Sequence, residues 1–216
     1  MWLHLIYLAC LLSGAILAFA YRKSLKSRQL SLFPFYLTLI FVQELIAFLL
    51  VKNDPLYSTG YIYNISNPVQ ALFFATFYYR ICFNDPVRRL IGILIIVFIL
   101  ANLVTFCCIQ PVSVYNNYLS LASGFLITLC GILFLFNYFK LDNQTEEKKW
   151  LPVIWITIGL VSFYPVVNIS FALYKYLLAY QATIFGMKLY RLIPQLMSIF
   201  MYVCFIRAFY LCKRKN

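Results

Sequence analysis

The sequence predicts an all-α fold, a polytopic bundle of seven transmembrane helices with the N-terminus outside and the C-terminus in the cytoplasm. Three observations predict it. Seven apolar stretches fill most of the 216 residues, each near the roughly 20 residues that a helix needs to cross a hydrocarbon core about 30 Å thick. Hydrophobic residues make up 64% of the chain and charged residues 11%, which leaves too few polar side chains to coat a water-soluble surface. Fourteen of the 18 Lys and Arg fall on one side of the predicted spans and four on the other.

The first span is Trp2–Ala20. Ala18-Phe19-Ala20 has the look of a cleavage site, yet no cation precedes the apolar run and Arg22, Lys23, Lys26 and Arg28 follow it. A signal peptide has the reverse arrangement, so this stretch is read as a membrane helix. The second span, Leu32–Val51, starts with Pro34 near its first turn, where a missing N–H costs least. The third, Ile62–Phe83, and the fourth, Leu90–Ile109, are separated by the charged Asn84–Arg89. The fifth is Tyr118–Phe139, the sixth Leu151–Leu173 with Pro152 near its start, and the seventh Leu192–Cys212. Pro68, Pro165 and Pro194 lie in the outer parts of their spans, where each frees a carbonyl and invites a kink or a polar neighbour. No connection can hold a separate domain. The longest, Tyr174–Arg191, has room for one short interfacial helix, so residues 1–216 are read as a single transmembrane domain.

The formal net charge of +12 does not indicate nucleic-acid binding, because the cations alternate with the spans instead of sharing one face. One side collects Arg22, Lys23, Lys26 and Arg28, then Arg80, Arg88 and Arg89, then Lys140, Lys148 and Lys149, and finally Arg207, Lys213, Arg214 and Lys215. The other side has Lys52, Lys175, Lys188 and Arg191. Cations are retained on the cytoplasmic side, which sets the orientation and implies a multi-pass protein of the cell inner (plasma) membrane. The same cations attract anionic lipid heads.

Seven cysteines lie within or at the edges of the spans and form no C-x-x-C pair, a pattern of small apolar fillers. One histidine, His4, and one acidic residue well inside a span, Glu44, do not make a metal site. No Gly-rich phosphate loop is present. No catalytic residue, metal or cofactor is therefore assigned, and the chain is not read as an enzyme. Trp2, Trp150 and Trp155, with Tyr57, Tyr61, Tyr63, Tyr115 and Tyr118, fit aromatic belts at the two interfaces.

Placing polar residues by depth gives the main functional pointer. Gln43 and Glu44 lie just beyond the middle of the second span, and Asn64, Asn67 and Gln70 follow one stripe of the third. Asn102 and Thr105 lie toward the outer side of the fourth, Asn168 and Ser170 of the sixth, and Gln195 and Ser198 of the seventh. All share the outer half of the bilayer. A carboxylate there needs a partner, water or a proton, since insertion costs it about 2.5–3.5 kcal/mol. Amides taken singly are more often interhelical ties worth about 1 kcal/mol. Gathered at one depth, they point to a hydrated pocket.

Weak likeness between the halves suggests a repeat. Gly14, Phe19, Tyr21 and Lys23 can be laid over Gly131, Phe136, Tyr138 and Lys140, Pro34 over Pro152, and Pro68 with Gln70 over Pro194-Gln195. Spans 1–3 and 5–7 would then be parallel triplets joined by the fourth, a known transporter plan.

Leu56-Tyr57, Tyr63-Asn64-Ile65, Gln70 and Phe77-Tyr78, with Gln43-Glu44, Asn102, Tyr115-Asn116-Asn117-Tyr118 and Trp155-Ile-Thr-Ile-Gly159, resemble a group of short seven-helix bacterial inner-membrane proteins. That resemblance implies the fold over nearly the full chain and brings no assigned biochemical activity. Gln70 and Ala71 stand where such proteins tend to carry an acidic residue. Pro194-Gln195 and the topology are also similar to the 3+1+3 sugar and vitamin transporters with Pro-Gln motifs, although those motifs usually belong to the first and fifth helices.

The expectation is a sensor- or receptor-like protein that recognises a small molecule or lipid in an outward-facing pocket lined by Gln43, Glu44, Asn64, Asn67, Gln70, Asn102, Asn168 and Gln195. Expected partners are membrane lipids, a small-molecule ligand and a membrane or cytoplasmic protein. The alternatives are a facilitative transporter of small solutes on the 3+1+3 plan and a structural or assembly subunit of a membrane complex.

Overall fold

In lipid an apolar chain must satisfy its own N–H and C=O groups, and the α-helix does so within one segment. A computed structural model of the protein describes residues 2–26, 29–54, 58–82, 84–140, 147–181, 183–184 and 187–213, and it is helical nearly throughout. The helices are α1 Trp2–Ala20, α2 Arg22–Lys26, α3 Phe33–Asn53, α4 Gly60–Ile81, α5 Asp85–Val104, α6 Asn117–Lys140, α7 Glu147–Ala172, α8 Tyr174–Ala179 and α9 Leu189–Lys213. A single π-turn, Thr105–Ile109, ends α5. The segment between α8 and α9 forms the two-residue hairpin strands β1 Thr183–Ile184 and β2 Met187–Lys188.

Six helices are long and apolar enough to cross a membrane among the described residues: α1, α3, α5 with its π-turn, α6, α7 and α9. The third predicted span is also a helix, α4, 22 residues long, but Asn64, Ser66, Asn67 and Gln70 make it more polar than the six. α4 packs on both α5 and α6. A helix walled by protein need not match the apolarity of one facing lipid. Helix α7 begins at Glu147, a turn before the predicted Leu151, so Pro152 lies inside it instead of at its start. The short helix expected after the sixth span is α8, with six residues.

The chain gathers into two compact units, Met1–Leu45 with Asp142–Asn216, and Ile46–Leu141. In the first, α9 is the central helix, packed against α7, α1 and α2. Two glycines set the spacing. A Cβ at Gly159 of α7 would lie 3.1 Å from Cys204 Cβ and 3.3 Å from the Met201 carbonyl of α9, so the two backbones meet there directly. Gly14 of α1 is looser, 3.8 Å from Ile206 of α9 and Leu37 of α3. Beyond it, Phe33 packs edge-on against Phe205 and Phe209 at 6.0 and 6.2 Å, and the Tyr7 ring lies tilted against Tyr202 at 5.8 Å. Edge-to-face rings add about 0.5–1.5 kcal/mol each beyond their burial.

In the second unit α4 packs on α6 through Tyr78 and Phe134, whose rings are 5.8 Å apart. Gly92 of α5 gives room to the Tyr79 ring. Cys82, at the end of α4, accepts a long hydrogen bond from the Asn137 amide, and both are buried.

The predicted spans Trp2–Ala20, Leu32–Val51, Ile62–Phe83, Leu90–Ile109, Tyr118–Phe139, Leu151–Leu173 and Leu192–Cys212 all coincide with helices to within a few residues. The triplets expected of a repeat do not coincide with the units, because α1, α7, α9 and the first half of α3 share one unit and α4, α5 and α6 the other. Trp2 and Tyr118 are exposed as an aromatic belt requires, whereas Trp150 is buried. Tyr57 lies outside the described residues.

Candidate functional site

The polar residues divide between the units. Gln43, Glu44, Asn168 and Gln195 belong to the first, and Asn64, Asn67, Gln70 and Asn102 to the second.

In the second unit the α4 stripe has a structural task. Asn64 is 2% exposed, and its amide donates to the carbonyls of Val112 and Val114 at 2.7 and 2.6 Å. Its Oδ1 accepts from the Asn116 N–H at 2.9 Å. Three of the four bonds that an asparagine amide can make are thereby used on backbone. Asn116 in turn caps α6, its Oδ1 accepting from the Leu119 N–H at 3.0 Å, as an asparagine ahead of a helix should. One turn along α4, Asn67 donates to Ser120 Oγ at 3.1 Å. One turn back, Gly60 lets the Tyr115 backbone approach so closely that a Cβ would lie 3.0 Å from its nitrogen. Gln110 closes the segment, donating to the carbonyls of Val114 and Tyr115 at 3.1 and 3.4 Å. Burial pushes the Tyr115 phenol above its usual range, and hydrogen bonds to Ser120 and Asn67 pull it partly back. Residues 110–116 are therefore pinned to α4. The sequon Asn64-Ile-Ser66 is closed by the burial of Asn64.

Deeper in this unit, Asn102 is buried and donates to the Phe98 carbonyl one turn back in α5 at 2.6 Å. The Gly92–Tyr79 contact sets the register between antiparallel α4 and α5 and puts Asn102 level with Gln70. Thr105 donates to the Ala101 carbonyl at 2.7 Å. Just beyond, the Gln110 N–H reaches five residues back to the Thr105 carbonyl at 3.0 Å and closes the π-turn, a feature often found at functional sites.

In the first unit the helix contacts bring the predicted residues to neighbouring levels. α7 and α9 are consecutive spans and run antiparallel. From Gly159 opposite Met201 and Cys204, the register carries Asn168 to the level of Ile193 and Pro194, beside Gln195. The contacts of Phe33 with Phe205 and Phe209 of α9 carry Gln43 and Glu44 to about the level of Met197 and Leu196. Both levels lie within one helical turn of Gln195. Ser198 itself donates through its hydroxyl to the Pro194 carbonyl one turn back at 2.8 Å. Glu44 is half-buried, and it and Asn168 both interact within the protein.

Among the described residues, several buried polar atoms make no hydrogen bond. Gln43 Nε2 and Ser170 Oγ lie in the first unit, Ser66 Oγ and Asn102 Oδ1 in the second. Each such atom costs about 1–3 kcal/mol unless something supplies the missing bond. Among the described residues no three His, Cys, Asp or Glu come together as a metal site.

Sequence reasoning missed Asn116, Ser120, Gly60 and Gln110. One signal was available: Asn116-Asn117 directly before the apolar run of the fifth span is a helix-start pattern. The others depend on contacts across about fifty residues, which no local pattern carries. No known protein family, no curated protein and no solved structure matches this chain.

Proposed function

We propose that this chain is a multi-pass protein of the inner (plasma) membrane that crosses seven times, N-terminus outside, and recognises a small molecule or lipid at the polar level of its first unit. The event passes to a membrane or cytoplasmic partner. The observation that carries this reading is Gln43 Nε2, a buried donor with no acceptor, one residue from Glu44 and within a helical turn of the Gln195 level. A lipid-embedded donor left open favours a bound group that accepts from it. Glu44 supplies a charge or a proton, and Asn168 and Gln195 supply paired donors and acceptors about a turn away. Ser170 Oγ is a second open polar group in the same unit. A small molecule with a hydroxyl or amide beside an apolar body fits this set. The crossing by α4 is supported by its 22 residues, about 33 Å of helix, and the orientation by the uneven Lys and Arg.

Native mass spectrometry of full-length protein taken from membranes in a mild nonionic detergent tests the reading. The expected result is a non-protein mass that stays with the wild type and is lost from Gln43→Leu and from Gln195→Leu. A spectrum of bare protein for all three removes the basis for recognition. If the mass is present, flux of that compound in proteoliposomes would turn the reading to transport.

A further inference from the structure

The connection between α1 and α3 is built to present cations. Tyr21 N–H continues α1 by donating to the Leu17 carbonyl at 3.0 Å, and Leu25 N–H donates to the Tyr21 carbonyl at 2.9 Å. Helix α2 then closes with a paired end: Leu30 N–H returns to the Leu25 carbonyl at 3.0 Å and Gln29 N–H to the Lys26 carbonyl at 3.3 Å. Gln29 takes the left-handed conformation, φ 60°, that this closure requires. The two residues at the positions where such an end usually makes its apolar contact, Leu25 and Leu30, are both fully buried. Residues 22–26 and 29–30 are thus anchored on one side by two leucines and backbone hydrogen bonds.

On the other side it carries Arg22, Lys23 and Lys26, all exposed. At about 100° per residue, the three fall within an arc of about 100°. α2 also packs on α9, and Lys213 at the end of α9 lies over the Tyr21 ring at 5.8 Å. Arg22 lies over the Phe35 ring at 4.9 Å, and Phe19 meets Phe35 edge-on at 5.6 Å. Phe19 and Phe35 are both exposed. Among the described residues none of these four cations pairs with a carboxylate; the carboxylate pair of an arginine is Arg88 with Asp85 in the other unit. The patch lies where α1 and α9 end and α3 begins, so it meets the membrane at headgroup depth.

We propose that Arg22, Lys23, Lys26 and Lys213 form a headgroup site for one anionic phospholipid, whose acyl chains lie along Phe19 and Phe35. Four cations with no carboxylate partner among the described residues, three on α2 and one at the end of α9 beside an exposed aromatic shelf, fit a phosphodiester with tails below it. A soluble anion would make no use of the shelf. This site is separate from the recognition level proposed above and does not depend on it.

The test uses full-length protein in mixed micelles with phosphatidylglycerol or phosphatidylcholine, with bound lipid read by native mass spectrometry and by the shift in melting temperature. Phosphatidylglycerol is expected to be retained and to raise the melting temperature, and phosphatidylcholine is not. Each of Arg22→Gln, Lys23→Gln and Lys26→Gln should weaken retention about 5-fold, from about 1 kcal/mol per cation at a membrane surface. The triple variant should abolish the preference, and Lys140→Gln in the other unit should leave it intact. If the triple variant does not fold, the three single variants carry the test. Equal retention of both lipids, an equal loss in Lys140→Gln, or displacement by millimolar inorganic phosphate would each overturn the proposal.

Discussion

At the scale of single residues, Asn64 and Gln29 show how much one side chain can fix. Asn64 holds three backbone groups of a segment about fifty residues away. Asn64→Leu strands all three, and the expected loss is about 2–4 kcal/mol, a fall in melting temperature of about 5–15 °C for a chain of this size. Asn67→Leu, which removes one bond to Ser120, should cost about 1 kcal/mol. Thermal unfolding of the two variants in detergent, followed by tryptophan fluorescence, gives the comparison; equal losses would mean that the clamp is not centred on Asn64. Gln29 carries a different burden, the strain of φ 60° in a residue with a Cβ. Gln29→Gly should gain about 1 kcal/mol, and Gln29→Val, whose branched Cβ crowds that conformation most, should lose about 1–2 kcal/mol. The polar character of Asn64 and its place near the start of a helix were legible in the sequence. Its occupation was not, because its acceptors are backbone carbonyls that no residue type announces.

Among the elements, the pairing of α7 with α9 is the closest. Gly159 is where it cannot give, with a Cys204 Cβ and a Met201 carbonyl in the space that a side chain would take. Gly159→Ala is expected to cost about 1–3 kcal/mol through forced separation of the helices. Gly14→Ala meets only ordinary contacts at 3.8 Å, so the gain in helix propensity should stabilise by about 0.5–1 kcal/mol. Opposite signs from two formally identical substitutions are the outcome to look for in denaturation midpoints. Helix positions themselves were readable from apolar run length, since lipid permits few alternatives to the helix. Helix partners were not. A run of Leu and Phe reads alike whether it faces lipid or protein, which is why Trp150 was expected in a belt and is buried.

For the molecule as a whole, orientation is the most direct quantity to test. Cys107 and Cys108 lie exposed in the π-turn, whereas Cys82, Cys130, Cys204 and Cys212 are buried. A membrane-impermeant maleimide applied to intact cells should modify Cys107 and Cys108, and the buried thiols should react only after denaturation. Labelling of Cys107 and Cys108 in opened cells alone would place the N-terminus inside. The uneven Lys and Arg predict that orientation from the sequence, and the labelling experiment decides it. The division into two units was hidden, as it rests on which helices touch.

The link from Asn64 to residues 112–116 has a further consequence during synthesis on the ribosome. On the seven-span reading proposed above, α4 leaves the translocon before the groups that satisfy its buried amide have been made. For the time needed to add some fifty residues, the helix must shelter that amide by other means, at the channel wall, in the interface or beside a chaperone. α4 should therefore linger near the insertion machinery until α5 and the start of α6 arrive, and the three should enter lipid together. A nascent chain arrested just after α5 should remain crosslinkable to the translocon through α4, while one arrested beyond α6 should be released.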